Sequence, residues 1–150
     1  MVLDSYDAFI SHRSTSKVQA RRVKAALERF AQPKKGDEPF RVYLDESSLR
    51  VGDLTTEIET GLQRSRALIV LIARDTVGSR WVELEVRYWL SHGGSPDRLF
   101  MVRVDDIDLS WNATSPDWAH PDLVPSALHG LFSREQKYID LASAAKGAER

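Results

Sequence analysis

The chain has 150 residues, 42% hydrophobic and 29% charged, with 21 basic and 22 acidic side chains and a net charge of −1. That composition describes one globular domain with its own core, without the single-signed field that would hold nucleic acid or an anionic membrane. Cysteine is absent, which excludes disulfides, cysteine-ligated zinc and a thiol nucleophile.

The start, "MVLDSYDAFI", has no basic n-region and no cleavage pattern, so no signal peptide is expected. The first strand is expected at "YDAFIS" (6–11). An amphipathic helix follows over 15–30, with Val18, Val23, Ala26, Leu27 and Phe30 on one side. A polar loop, 31–40, leads to a second strand, "FRVYL" (40–44). The segment "DESSLRVGDLTTEI" (45–58) turns at Gly52-Asp53 before Thr55 or Thr56 caps a helix over 55–64. The third strand, "ALIVLIA" (67–73), is apolar throughout rather than alternating, as in a strand covered on both faces. It is also far shorter than the roughly 20 residues a membrane span requires.

A third helix is expected over 80–91, stopped by Gly93-Gly94. The fourth strand is "LFMVRV" (99–104) and the fifth, weaker, "KYIDL" (137–141). Between them lies a long irregular connection, 105–133, with a short helix expected near 123–130. Its length marks a working surface or local disorder. Alternating strands and helices predict an α/β fold: a flavodoxin-like, five-stranded parallel sheet of order 2-1-3-4-5 with helices on both faces. In such sheets ligands bind beyond the carboxyl ends of the strands, where the order reverses. Here that is between strands one and three. Residues 142–150 read as a tail or linker after a domain over 1–141.

"SRWVELEVRYWL" (79–90) places two glutamates two positions apart. At 100° per residue, Glu83 falls on the polar side beside Arg87, an i,i+4 pair in the favourable order worth about 0.2–0.5 kcal/mol. Glu85 falls between Trp81 and Trp89 on the apolar side. A carboxylate there is paired, protonated, or at the mouth of a pocket. A salt bridge to Arg13, Arg64 or Arg66 is the structural alternative to a functional role.

The loop "SHRSTSK" (11–17) opens the first helix. Ser14, Thr15 and Ser16 are good N-caps. With Arg13 and Lys17, the helix start is suited either to an anion or to simple capping. It lacks the glycines of a P-loop. The four histidines are scattered and the acidic run 105–110 lacks the pattern of a calcium loop, so no metal site is expected.

"YDAFISHR", "VYLDESSLRVGD" and "ALIVLIARDTVGSRWVELEVRYWL", in this order and spacing, resemble the Toll/interleukin-1 receptor (TIR) domain. They correspond to its box 1, its strand B with the BB loop, and its strand C with helix C. The resemblance covers roughly residues 5–141 and implies the same flavodoxin-like fold. Some family members cleave NAD+ at the nicotinamide–ribose bond, using a glutamate four residues after a tryptophan in helix C. That spacing here is Trp81 to Glu85, and Glu83 does not match it.

The resemblance thus implies Glu85 as the catalytic carboxylate. It places Trp81, Ser11, His12, Arg13, Asp45 and Leu54 around the substrate, and Leu49, Arg50, Val51, Gly52 and Asp53 at a BB-loop oligomer interface. Position 12, often tyrosine in the family, is histidine. NAD+ would be substrate rather than cofactor, and the product ADP-ribose or a cyclic isomer. TIR–TIR assembly would switch activity on, under a sensor not visible in this chain, as in cytoplasmic bacterial anti-phage defence. No direct contact with nucleic acid or membrane is implied. Other family members are non-catalytic scaffolds that act by homotypic contact, and that is the alternative.

Overall fold

The computed structural model describes residues 5–30, 40–45 and 52–142. The loop over 31–39, the BB-loop positions Leu49, Arg50 and Val51, and the tail beyond residue 142 lie outside the described residues.

In chain order the elements are β1 (Tyr6–Ser11), α1 (Lys17–Phe30), β2 (Val42–Leu44), α2 (Thr56–Gln63), β3 (Ser65–Ile72), α3 (Arg80–Ser91) and β4 (Leu99–Arg103). A small hairpin, β5 (Trp111–Asn112) and β6 (Asp117–Trp118), precedes β7 (Ile139–Asp140). The main sheet has the order β2-β1-β3-β4-β7, and every neighbouring pair is parallel. With β7 as fifth strand this is the expected 2-1-3-4-5 arrangement. Among the described residues no helix is long and apolar enough to cross a membrane.

β3 shows why the sheet is a central layer. Leu68, Val70 and Ile72 point to one face, where they pack with Trp81, Val82, Val86 and Trp89 of α3 and Ile58 and Leu62 of α2. Ile69 and Leu71 point to the other, towards Ala20, Val23 and Leu27 of α1. A strand buried on both sides has no use for polar alternation. The α1 stripe differs from expectation in two positions: Val18 is 57% exposed and Ala26 is exposed as well, while Ala20 is fully buried. The helix starts at Lys17, after a 3-10 turn over Ser14–Ser16. The inward stripe is therefore 16, 20, 23 and 27, and Val18 falls outside it.

The 105–133 connection is built rather than structureless. Trp111 and Trp118 meet edge to face across the hairpin at 5.5 Å, and Trp118 meets Phe132 the same way at 6.2 Å. The Trp118 indole donates to the Leu128 carbonyl at 3.1 Å. Trp118, Val124, Leu128 and Phe132 join the core on the α3 side. In place of the helix expected near 123–130 there are two 3-10 turns, Pro121–Leu123 and Ser126–Leu128. Pro125 lacks the N–H that a continuous helix would use, and it biases Val124 towards extended backbone.

α3 ends where its chain must pass close to its own last turn. The Gly94 amide donates to the Trp89 carbonyl at 2.9 Å. A Cβ on Gly94 would lie 2.4 Å from ring carbons of Trp89 and 2.6 Å from its carbonyl oxygen. Backbone and a buried indole cannot both give way. Gly94→Ala is expected to cost about 1–3 kcal/mol, the usual range for overpacking, read as a lower urea midpoint with an unchanged slope.

Candidate active site

The carboxyl ends of β1 and β3 and the first turns of α3 meet at the predicted switch point. Ser79 caps α3 by accepting from the Val82 amide at 3.2 Å, which fixes where the helix starts. From there Trp81, Val82, Glu85, Val86 and Trp89 face inward. Glu85 is 1% exposed. Ser11, the last residue of β1, donates from its Oγ to Glu85 Oε1 at 2.8 Å across 74 residues of sequence. A buried carboxylate needs such donors because it has given up water.

The other predicted residues gather unevenly around this pair. His12, Asp45 and Trp81 are buried. Leu54 is half-buried and packs against the same core cluster as Trp81. Arg13 turns elsewhere: its Nη1 donates to the Asp75 carbonyl at 2.7 Å, and its Nε lies 3.6 Å from the Asp75 carboxylate. Thr15 donates to the same carboxylate at 2.7 Å. Asp75, in the loop after β3, thus ties down the loop after β1.

The expected side-chain cap of α1 differs too. Arg13 takes the cap position of the 3-10 turn and makes no capping hydrogen bond from its side chain. As for the proposed salt bridges of Glu85, Arg13 pairs with Asp75. Arg64 and Arg66 sit at the opposite, amino-terminal end of β3.

Of the loop residues assigned to an oligomer interface, two are described. Gly52 has φ +79°, the left-handed region that favours glycine. Asp53 forms an ion pair with Arg80 of the same chain at 3.2 Å, exposed on both sides, a class of contact worth about 0–1 kcal/mol. Glu83 is more than a surface partner. It accepts from Arg87 at 2.7 Å as expected, and it also accepts from the Ala127 amide, fastening the 105–133 segment to α3.

Tyr43 is the neighbour that sequence reasoning missed. Its ring stacks on Phe9 at 5.0 Å and meets Tyr6 edge to face at 5.1 Å. Burial first, then the negative charges of Glu57, Asp45, Tyr6 and Glu85, push its phenol up to about 12. Position 43 lies in the short β2, where nothing but alternation marked it. The site is therefore acidic and largely dry, and a nearby cation would be stabilised there more than in water.

Ser11→Ala removes the hydroxyl that faces Glu85 and is expected to cost about 1–3 kcal/mol, measured by chemical denaturation. The Tyr43 phenol ionises later in the folded chain than the ordinary value of about 10. The unfolded chain therefore releases that proton first, and stability falls as pH rises from about 10 towards about 12. An ultraviolet absorbance titration should show a tyrosinate step near pH 12 that disappears in Tyr43→Phe.

Residues 8–149 match the family described as "TIR domain". The chain is 32% identical over 140 residues to a protein of Actinoplanes sp. named NAD(+) hydrolase ApTIR, and the match covers 91% of this chain. It spans only 19% of that relative's length. Among solved structures, the TIR domains of the activated Roq1 resistosome, which recognises the pathogen effector XopQ, align with TM-score 0.50 and 25% identity, over 69% of this chain and 60% of that one. The TIR domain of the Toll-related receptor TRR-2 from Hydra magnipapillata aligns with TM-score 0.56 over 97% of this chain and 90% of that one. At 13% identity that likeness concerns the fold. With a family match over nearly its whole length, the chain belongs to the TIR domain family.

Proposed function

We propose that this TIR domain is an NAD+ nucleosidase that cleaves the nicotinamide–ribose bond, with Glu85 as the catalytic carboxylate. The observation that carries the reading is a glutamate buried to 1% at the switch point of the sheet, held by the Ser11 hydroxyl. The likeness to an NAD(+) hydrolase over 91% of this chain supports it.

The chemistry needs little beyond that carboxylate. Most glycosidases use two carboxyl groups, one to protonate a poor leaving group. In NAD+ the leaving group is a pyridinium. The C–N electron pair goes to the nicotinamide nitrogen, which departs neutral, and positive charge develops on the ribose. Glu85 stabilises that charge in a site of low dielectric, directly or through the ribose hydroxyls. Water then bonds to the ribose carbon and releases a proton, giving ADP-ribose. Attack by the adenine instead gives a cyclic isomer. Trp81 and Leu54 supply apolar walls and exclude water, and the buried His12 and Asp45 complete the lining. No cofactor enters.

Because Glu85 is closed off in a single copy, the groups above it must part before a ribose can reach it. Activation by TIR–TIR contact fits that requirement, with Gly52 and Asp53 exposed to meet a second copy. The alignment with TIR domains of an assembled resistosome supports assembly. The Asp53–Arg80 pair is weak enough to be exchanged for contacts with a second copy.

Incubation with NAD+ at high protein concentration, or with a clustering agent, should release nicotinamide, resolved by chromatography and mass. Glu85→Gln is expected to lower the rate at least about 100-fold, the scale of losing one well-placed electrostatic group, while Glu83→Gln retains most of it. Absence of nicotinamide under every assembly condition would sink the enzyme reading. Loss with Glu83→Gln but not Glu85→Gln would sink the residue assignment.

A further inference from the structure

The end of the sheet opposite Glu85 carries a cavity. It lies between the amino-terminal ends of β3 and β4 and the end of α3, and its volume is about 260 Å³. Arg64, Arg66, Arg98 and His92 line it, and Trp89 and the Gly93-Gly94 backbone form a wall. No carboxylate lines it. Four other surface cavities each include at least one acid: Glu28, Glu57, Asp106 with Asp108, and Asp97. In a chain of net charge −1, three arginines around one acid-free hollow are a local arrangement.

Helix ends account for only part of that charge. α2 and α3 both terminate here, and each carboxyl end carries about −0.5 of a charge. Together they offset about one of three guanidinium charges. Neither helix has a basic residue in its own last turn. Arg98 Nη2 donates to the Gly93 carbonyl at 2.9 Å, which holds the guanidinium 6.0 Å from the Trp89 ring centroid. One bond leaves most of its five donors free for another acceptor. Arg64 and Arg66 make no side-chain ion pair among the described residues. Arg64 also borders the neighbouring cavity that contains Glu57.

We propose that this cavity is an anion site for a diphosphate group, held by the forks of Arg64, Arg66 and Arg98. Planar guanidinium forks match phosphate oxygens in pairs. The volume lies just below the roughly 300–1,000 Å³ of pockets that enclose a drug-sized molecule, so the site takes the charged group and leaves any attached nucleoside outside. The Trp89 indole, which donates to the Ser65 carbonyl at 3.2 Å, and the Gly94 amide report on the site directly. The site is at the other end of the sheet from Glu85 and stands whether or not that residue is catalytic.

The test is a proton–nitrogen NMR titration of the chain with inorganic pyrophosphate and, separately, ADP, at constant ionic strength. Saturable shifts are expected at the Trp89 indole N–H and the Gly93 and Gly94 amides. Arg66 and Arg98 are both exposed, so the double variant Arg66→Gln/Arg98→Gln should fold and bind at least about tenfold more weakly, which is about 1.4 kcal/mol. Tighter binding of ADP than of pyrophosphate assigns the occupant to nucleotides. Equal binding assigns it to free diphosphate, and either result carries the site. The proposal is overturned by shifts confined to the β1 loop around Arg13 and Lys17, by a double variant with full affinity, or by no saturable shift at the three reporters.

Discussion

A carboxylate buried in a protein must replace the water it has lost, and here Glu85 draws on the end of a strand 74 residues away. That requirement links the parts of the fold that matter. β1 has to end at Ser11 beside β3, and α3 has to begin at Ser79, so that its second turn points inward at the same place. Moving the helix start by one residue would rotate Glu85 by about 100°, out of the apolar arc and away from the hydroxyl. The sheet order, the cap and the buried pair are therefore one constraint seen at three scales.

Much of this was legible because the signals were local and repeated. β3 announced itself by unbroken hydrophobicity, and the distinction between Glu83 and Glu85 followed from helical geometry alone. The fate of individual partners was not legible. Arg13 and Asp75 are 62 residues apart, and only the folded chain brings the loops after β1 and β3 into contact. Tyr43 was hidden for a similar reason: its importance comes from burial and from Glu57, Tyr6 and Glu85 on other segments, with only Asp45 close to it in sequence. Val18 misled by its residue type: within the regular helix it lies about 140° round from Val23, off the stripe that Ala20, Val23 and Leu27 share.

The segment 105–133 shows a different limit. Two-residue strands are too short for any alternation to register, and Pro121 and Pro125 punctuate a region that nonetheless packs. A clue was present in "NATSPD". Asn112 accepts from the amides of Thr114 and Ser115, the turn chemistry that a short asparagine side chain offers. The order of the segment comes from the edge-to-face rings of Trp111, Trp118 and Phe132 and from Glu83 reaching the Ala127 amide. A length argument leaves a working surface and local disorder equally open until such anchors are seen.

The strands inside the main sheet have six, eight and five residues, whereas its two borders, β2 and β7, have three and two. Unpaired backbone along a sheet border is what lets another chain add a strand. Borders this short offer almost no ladder to extend. Copies of this domain that come together would therefore meet through loops and helix flanks, where contacts can be made and released, and not by growing a continuous sheet, which is hard to undo.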